Sequence, residues 1–149
     1  MADGFEGLQV WQAAHALRVH VYRQVLPSLP REESWDLASQ IRRSAKSIAA
    51  NIAEGYGRFY FADNVRFCYN ARCSLAETID HLICARDLGY LAPDQYTASR
   101  AAADKVYRLL NGYIAYLKQR RLGADEPGAN ITVDGSAASP ADPAGESTS

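Results

Sequence analysis

The middle of the chain carries apolar residues at strict helical spacing, and this pattern constrains the fold more than any other feature. Between positions 39 and 58 they recur at intervals of four, three and four: Ile41, Ala45, Ile48 and Ile52. That spacing puts them on one side of a helix. Three cations fall outside this stripe: Arg42, Arg43 and Lys46. The stretch therefore predicts one helix with a packing face and a concentrated positive charge.

Two glycines close this stretch, and we expect them to end the helix. Gly55 and Gly57 can adopt the left-handed conformation that favours a helix C-terminus. Glu54 is an acid at the end where the helix dipole disfavours one, so we expect it to pair with Arg58 or with Arg42 of a neighbouring subunit. Asn51 is a modest helix former beside the apolar stripe. We predict that four residues form a turn and ion-pair group: Asn51, Glu54, Gly55 and Gly57.

The first two of four predicted helices occupy the N-terminal half of the chain. The first runs over about residues 8–26, where Pro27 stops it. The second covers about residues 34–54, with Ser34 as its N-cap. Trp35 opens the apolar series of this second helix, so we expect it to face the core.

Two more helices follow. The third is predicted to begin at an N-cap at Asp63, although residues 59–62 could form its first turn, and to end before Gly89. The fourth opens at Pro93, a residue suited to the first helical turn, and runs to about residue 121. Four helices with short connections predict an all-α fold, an antiparallel up-down-up-down four-helix bundle over residues 1–122.

The composition of the C-terminal segment differs from that of the bundle. Residues 123–149 consist mainly of Gly, Ala, Ser, Pro, Asp and Glu and contain hardly any large apolar side chains. Such a segment cannot bury enough surface to offset the entropy that ordering costs. We therefore predict a disordered acidic tail over residues 123–149.

Several classes of protein are disfavoured by the sequence. No apolar run approaches the ~18 residues that a membrane span needs, and no secretory signal opens the chain. The three cysteines are odd in number and lie in helical patterns, which argues against a disulfide framework. We therefore expect a cytoplasmic protein that does not bind membranes.

The net charge of −1 hides an uneven distribution of charge. All 16 basic residues lie at or before Arg121, and the five acids after Leu122 have no basic neighbour. The positive excess is concentrated between positions 37 and 72, a stretch that contains six basic residues and two acidic ones. A basic surface of this kind predicts nucleic-acid binding. The alternative is a solvated face that binds no ligand and only keeps the protein soluble. The candidate nucleic-acid-binding residues are Arg42, Arg43, Lys46, Arg58, Arg66 and Arg72.

Nine tyrosines are many for a small helical bundle. Tyrosine packs its ring while its hydroxyl stays in water, which suits helix margins and subunit interfaces. Stacking on nucleic-acid bases is the alternative function for such rings. The sequence leaves both open.

No residue pattern predicts catalysis. His81 has Glu77 and Cys84 at helical spacing, but no second pair completes a metal site, so we expect no metal. The cysteines lack an evident histidine partner, and no glycine-rich phosphate loop precedes a helix. We therefore expect no catalytic residue, no cofactor and no small-molecule substrate, in a protein that is not an enzyme.

Four motifs, of which the second is the longest and most specific, carry a resemblance to a known family. They read FxxLxVWxxA from Phe5, LxSQIRRSAxSIxANIAEG from Leu37, SLxE from Ser74 and LGYL from Leu88. Together they resemble the S23 family of four-helix bundle proteins, first met as products of intervening sequences in 23S rRNA genes. The resemblance covers about residues 5–121.

The resemblance implies more than a fold. It implies a homopentamer of four-helix bundles. It also points to the accessory variability determinant of diversity-generating retroelements, a similar bundle that pairs with a reverse transcriptase and uses basic surface residues toward nucleic acid, RNA or DNA. The positions that this comparison carries over are Arg42, Arg43, Lys46 and Arg58. The alternative is a structural or interaction module whose basic residues serve solubility or ion pairs between subunits.

Overall fold

Four antiparallel helices form the protein in a computed structural model that describes residues 4–58 and 60–120. They are α1 (Gln9–His20), α2 (Leu37–Tyr56), α3 (Phe61–Asp87) and α4 (Pro93–Arg120). Each helix packs against its neighbours in an up-down-up-down order, which confirms the predicted all-α bundle. The predicted tail, residues 123–149, lies outside the described residues.

The predicted apolar stripe forms the centre of the core. Its four members in α2 are all fully buried: Ile41, Ala45, Ile48 and Ile52. The other helices contribute fully buried side chains at the same spacing, among them Leu17, Leu75, Leu82, Leu110 and Leu117. Burial of these side chains provides the main stabilisation of the bundle.

Helix α1 is extended beyond His20 by a π-helical turn, Val21–Val25, and a 3₁₀ turn, Leu26–Ser28. The predicted first helix, residues 8–26, is therefore continuous but changes its winding. His20 lies where the winding changes, and its Nε2 is 2.7 Å from Oγ of the buried Ser99. Ser99 Oγ donates to the carbonyl of Gln95 at 2.8 Å, so the imidazole Nε2 is the donor toward Ser99.

The burial of His20 makes the stability of the fold depend on pH. Burial lowers the pKa of His20 from its usual value of 6.5, because the charged imidazolium loses hydration. The unfolded chain then binds a proton more readily than the folded one, so the free energy of unfolding should fall as pH drops through 6.5. Urea unfolding at pH 7 and pH 5 measures this. The decrease should be smaller in His20→Gln, and equal decreases in both proteins would contradict the prediction.

The start of α2 differs from the prediction. The helix begins at Leu37, so the predicted N-cap Ser34 is wrong, and Trp35 lies in the preceding turn with 93% of its surface exposed. Glu33 caps the helix instead, because its Oε1 accepts a hydrogen bond of 3.2 Å from the Leu37 backbone N–H. Its Oε2 accepts one of 2.8 Å from the hydroxyl of Tyr90. A residue from the α3–α4 connection thus fixes the cap.

The ends of α3 agree with the sequence in part. The helix begins at Phe61, so the predicted N-cap Asp63 is wrong and lies inside the first turn, as the alternative reading had it. Burial of Phe61 in the core explains the earlier start. At the other end Gly89 has a φ of +82°, and Tyr90 N–H bonds the Ala85 carbonyl at 2.9 Å. This left-handed termination, followed by α4 at Pro93, confirms the predicted boundary.

The two glycines after Glu54 do not end α2 in the predicted way. Gly57 has a right-handed conformation with a φ of −80°, and Gly55 is buried inside the helix. A Cβ on Gly55 would lie 2.8 Å from Asn64 Oδ1 and 2.9 Å from Phe67 Cβ. Gly55 is therefore needed for the close approach of α3 and not for a left-handed turn.

Hydroxyl groups connect α2 and α3 along the rest of this contact. Thr78 Oγ1 donates to Ser44 Oγ at 2.8 Å, and both side chains are buried. One turn further along, Ser47 and Ser74 are joined by a hydrogen bond of 2.8 Å. These paired hydroxyls satisfy one another, so they fix the register of the two helices at little cost in desolvation.

Candidate nucleic-acid interface

The outward face of α2 carries three of the six predicted cations. Arg43 and Lys46 are exposed and Arg42 is half-buried. Within residues 4–58 and 60–120, none of the three forms an ion pair or hydrogen bond with another side chain. The next outward residue along α2, Ala50, is exposed and small. We call Arg42, Arg43 and Lys46 the α2 cation cluster.

The cluster carries an electrostatic cost in the isolated chain. Lys46 follows Arg42 by four residues and Arg43 by three, and like charges at these helical spacings repel one another. The described residues supply no acid to offset this repulsion. A bound polyanion would relieve it, because each phosphate compensates one cation.

Arg58 and Arg66 lie elsewhere, at the α2–α3 turn. Their guanidinium carbons are 4.7 Å and 5.9 Å from the centre of the Phe67 ring. Each also has an acid partner, since Arg58 is 3.3 Å from Glu54 and Arg66 is 2.9 Å from Asp63. The predicted pairing of Glu54 with Arg58 is confirmed, and these exposed pairs contribute little to stability.

Arg72 connects two helices. Its Nη1 donates to Asn111 Oδ1 of α4 at 2.7 Å, and its guanidinium lies 5.2 Å from the centre of the Tyr69 ring. Arg43 lies roughly 20 Å along α2 from Tyr56, the last residue of that helix before Arg58, at 1.5 Å per residue. The six predicted cations therefore form three separate groups, and only the α2 cation cluster is without partners in the described residues.

Asn51 supports the contact between α2 and α3. Its Nδ2 donates to the Ser47 backbone carbonyl at 2.8 Å and to Ser47 Oγ at 2.9 Å. Since Ser47 bonds Ser74, Asn51 belongs to the hydroxyl contacts of the two helices. The prediction that Asn51 belongs to the turn after α2 is therefore wrong, because its side chain bonds Ser47 inside the helix.

The sequence pattern alone does not reveal the environment of two aromatic residues, Trp35 and Phe67. Trp35 fits the apolar spacing of α2, which predicts a core position, yet it is exposed. Its neighbours Ser34 and Asp36 favour turns, and they were the signal for a later helix start. Phe67, which holds two guanidinium groups over its ring, has no comparable local signal.

The described residues offer little for catalysis or metal binding. No group of three or more His, Cys, Asp or Glu residues is placed to hold a metal among them, and His81 has only Glu77 at 3.4 Å and Asp80 at 3.9 Å. Burial raises the pKa of the Cys68 thiol to about 12, which keeps it protonated and unreactive. Three surface depressions of about 330 to 370 Å³ have no acid or histidine in their linings.

Comparison with known proteins identifies the family. The sequence model of the 23S rRNA-intervening sequence protein family matches residues 6–112. The chain belongs to this family. A crystal structure of a protein of unknown function from the S23 ribosomal protein family of Bacteroides thetaiotaomicron VPI-5482 has the same fold, with a TM-score of 0.65 at 24% identity. The alignment covers 70% of this chain and 97% of that one.

The S23 assignment agrees with the resemblance in the sequence motifs. No curated protein matches the chain. None of the helices in the described part is long and apolar enough to cross a membrane. Family and fold are therefore established together.

Proposed function

We propose that this S23-family protein is a non-enzymatic, homo-oligomeric helical bundle of the cytoplasm that binds nucleic acid through the α2 cation cluster. The observation that carries the proposal is three adjacent cations with no acid partner in the described residues. Their side chains point away from the core stripe of the same helix, so a ligand reaches them without any change in the bundle. Phosphates are the ligands that such a cluster binds with little dependence on sequence.

Titration of labelled RNA and DNA at two salt concentrations tests nucleic-acid binding. Fluorescence anisotropy at about 50 and 200 mM salt should show a much weaker affinity at the higher concentration, because phosphate binding releases counterions. RNA is the first ligand to examine, given the family. Affinity that does not change with salt, or no binding at the lower concentration, would refute the proposal.

We extend the proposal to assembly and partner. The S23 family resemblance supports a homopentamer, so light scattering should give about five times the 16.4 kDa of one chain. The similarity to the accessory variability determinant supports a reverse transcriptase as the protein partner. Co-purification with the reverse transcriptase of a diversity-generating retroelement tests that step, and a monomer in solution would contradict the assembly.

A second candidate function is an interaction module that does not bind nucleic acid. The observation that favours it is a row of exposed acids on the outward face of α3: Glu77, Asp80 and Asp87. In a neighbouring copy these acids would complement the α2 cation cluster. Dissociation of the oligomer by salt, together with no affinity for RNA or DNA, would favour this function over the first.

A further inference from the structure

An exposed tryptophan lies in the turn that precedes α2, the helix that carries the α2 cation cluster. Trp35 is 93% exposed, although tryptophan is one of the residues that gain most from burial. The second tryptophan of the chain is different, since Trp11 stacks on His15 at 4.9 Å and meets Phe5 edge-on at 5.1 Å. The environment of Trp35 therefore leaves its ring faces accessible to a ligand.

Hydrogen bonds hold the backbone on both sides of Trp35. The Ser34 and Asp36 N–H groups each donate a hydrogen bond of 3.0 Å, to the carbonyls of Arg31 and Glu33. The Glu33 carboxylate is held by Tyr90 and by the first residue of α2. Trp35 thus lies in a turn held by hydrogen bonds, which lowers the ordering cost for a ligand that stacks on it.

The cations follow Trp35 at a short distance. α2 begins two residues later at Leu37, and Lys46 lies roughly 14 Å along the helix from that point, at 1.5 Å per residue. A few nucleotides of a single strand cover this distance. Glu32 and Asp36 are exposed beside the tryptophan, so phosphates are disfavoured there and favoured over the cations. In this arrangement a nucleic-acid base can stack on the Trp35 indole while the phosphate backbone follows the cations of α2.

On these grounds we propose that Trp35 is a base-stacking residue and that the nucleic acid bound by α2 is single-stranded. This inference rests on the proposed nucleic-acid function and narrows its substrate class. Bases in a duplex are already stacked and cannot reach the indole, whereas an unpaired base offers a free π face. Aromatic stacking beside a cationic track is the usual way to bind a single strand without sequence preference.

Two measurements test the role of Trp35. First, Trp35→Ala should weaken binding of a 15-nucleotide oligo-dT or oligo-rU by about 5- to 150-fold, the effect of losing one stacked base, without changing affinity for a duplex of equal length. The slope of affinity against salt should also stay unchanged, since no phosphate contact is lost. Tyr107→Ala, which removes an exposed ring from α4, is the matched control and should change neither affinity.

Second, the fluorescence of Trp35 reports stacking directly. In a Trp11→Phe background Trp35 is the sole tryptophan, and the single strand should quench its emission while the duplex should not. Equal loss of single-strand and duplex affinity in Trp35→Ala, or no loss with the single strand, would overturn the inference and leave the proposed function intact. No binding of either nucleic acid by the wild-type protein would instead overturn the proposed function. Emission that changes with protein concentration alone would place Trp35 in a contact between copies and would also overturn the inference.

Discussion

Replacing Gly55 with alanine should lower the free energy of unfolding by up to about 2 kcal/mol, because overpacking a tight contact costs about 1–3 kcal/mol and the helix propensity of alanine offsets part of it. The new Cβ would lie 2.8 Å from Asn64 Oδ1, 2.9 Å from Phe67 Cβ and 3.0 Å from the Asn64 carbonyl oxygen. The first atom can rotate away, but the other two belong to or adjoin the α3 backbone. Helix α3 must therefore shift, and this cost exceeds the ~1 kcal/mol that alanine gains over glycine in helix propensity.

Gly112 provides the matched control for this substitution. It lies in the interior of α4, and an added Cβ there would meet nothing within 4 Å. Gly112→Ala should therefore raise the free energy of unfolding by roughly 0.5–1 kcal/mol through helix propensity alone. Urea denaturation followed by circular dichroism, at two protein concentrations, measures both variants. An increase in stability on Gly55→Ala that matches the control would show that the close approach of α2 and α3 is not needed.

Neutralising the α2 cation cluster should produce the largest effect on binding. In the triple variant Arg42→Gln, Arg43→Gln and Lys46→Gln, three phosphate contacts are lost. Each contact contributes about 0.7 to the logarithmic salt slope for a single strand, so the slope should decrease by about 2. Affinity at about 0.1 M salt should then fall on the order of 100-fold. The bundle should stay folded, because the change removes like-charge repulsion and no core contact.

A second triple variant separates a local site from an effect of net charge. Arg23, Lys105 and Arg108 are exposed and lie on α4 and on the π-helical extension of α1. Changing these three to glutamine alters the net charge by the same amount as the first variant. Anisotropy titrations should show only a small loss of affinity. A loss as large as that of the first variant would mean that nucleic acid is attracted by overall charge and has no site on α2.

Much of the fold could be read from the sequence because it depends on local patterns. The spacing from Ile41 to Ile52 predicted a fully buried stripe, and Gly89 with Pro93 predicted the α3–α4 connection. The candidate site was harder to predict. Arg72 and Arg43 look alike in the sequence, yet Arg72 bonds Asn111, 39 residues further along, while Arg43 has no partner in the described residues.

The errors at Trp35 and Gly55 have a common origin. Helical spacing alone predicts Trp35 in the core. In the structure α2 starts only after Trp35, because Glu33 caps Leu37, and the Glu33 carboxylate is held by Tyr90, 57 residues further along the chain. Likewise, glycine after an acidic residue suggested a left-handed turn, whereas Gly55 serves the contact with Asn64 and Phe67 of α3. In both places the deciding partner is distant in sequence.

The sequence by itself determined that this protein is an antiparallel four-helix bundle, which side of α2 is buried, and that positive charge gathers near that helix. It did so because apolar periodicity and helix termination are properties of neighbouring residues. Only the tertiary structure decided where α2 begins, why Gly55 is a glycine, and which cations remain without partners. Those features depend on atoms that meet only after the helices have packed, and no local pattern in the chain records them.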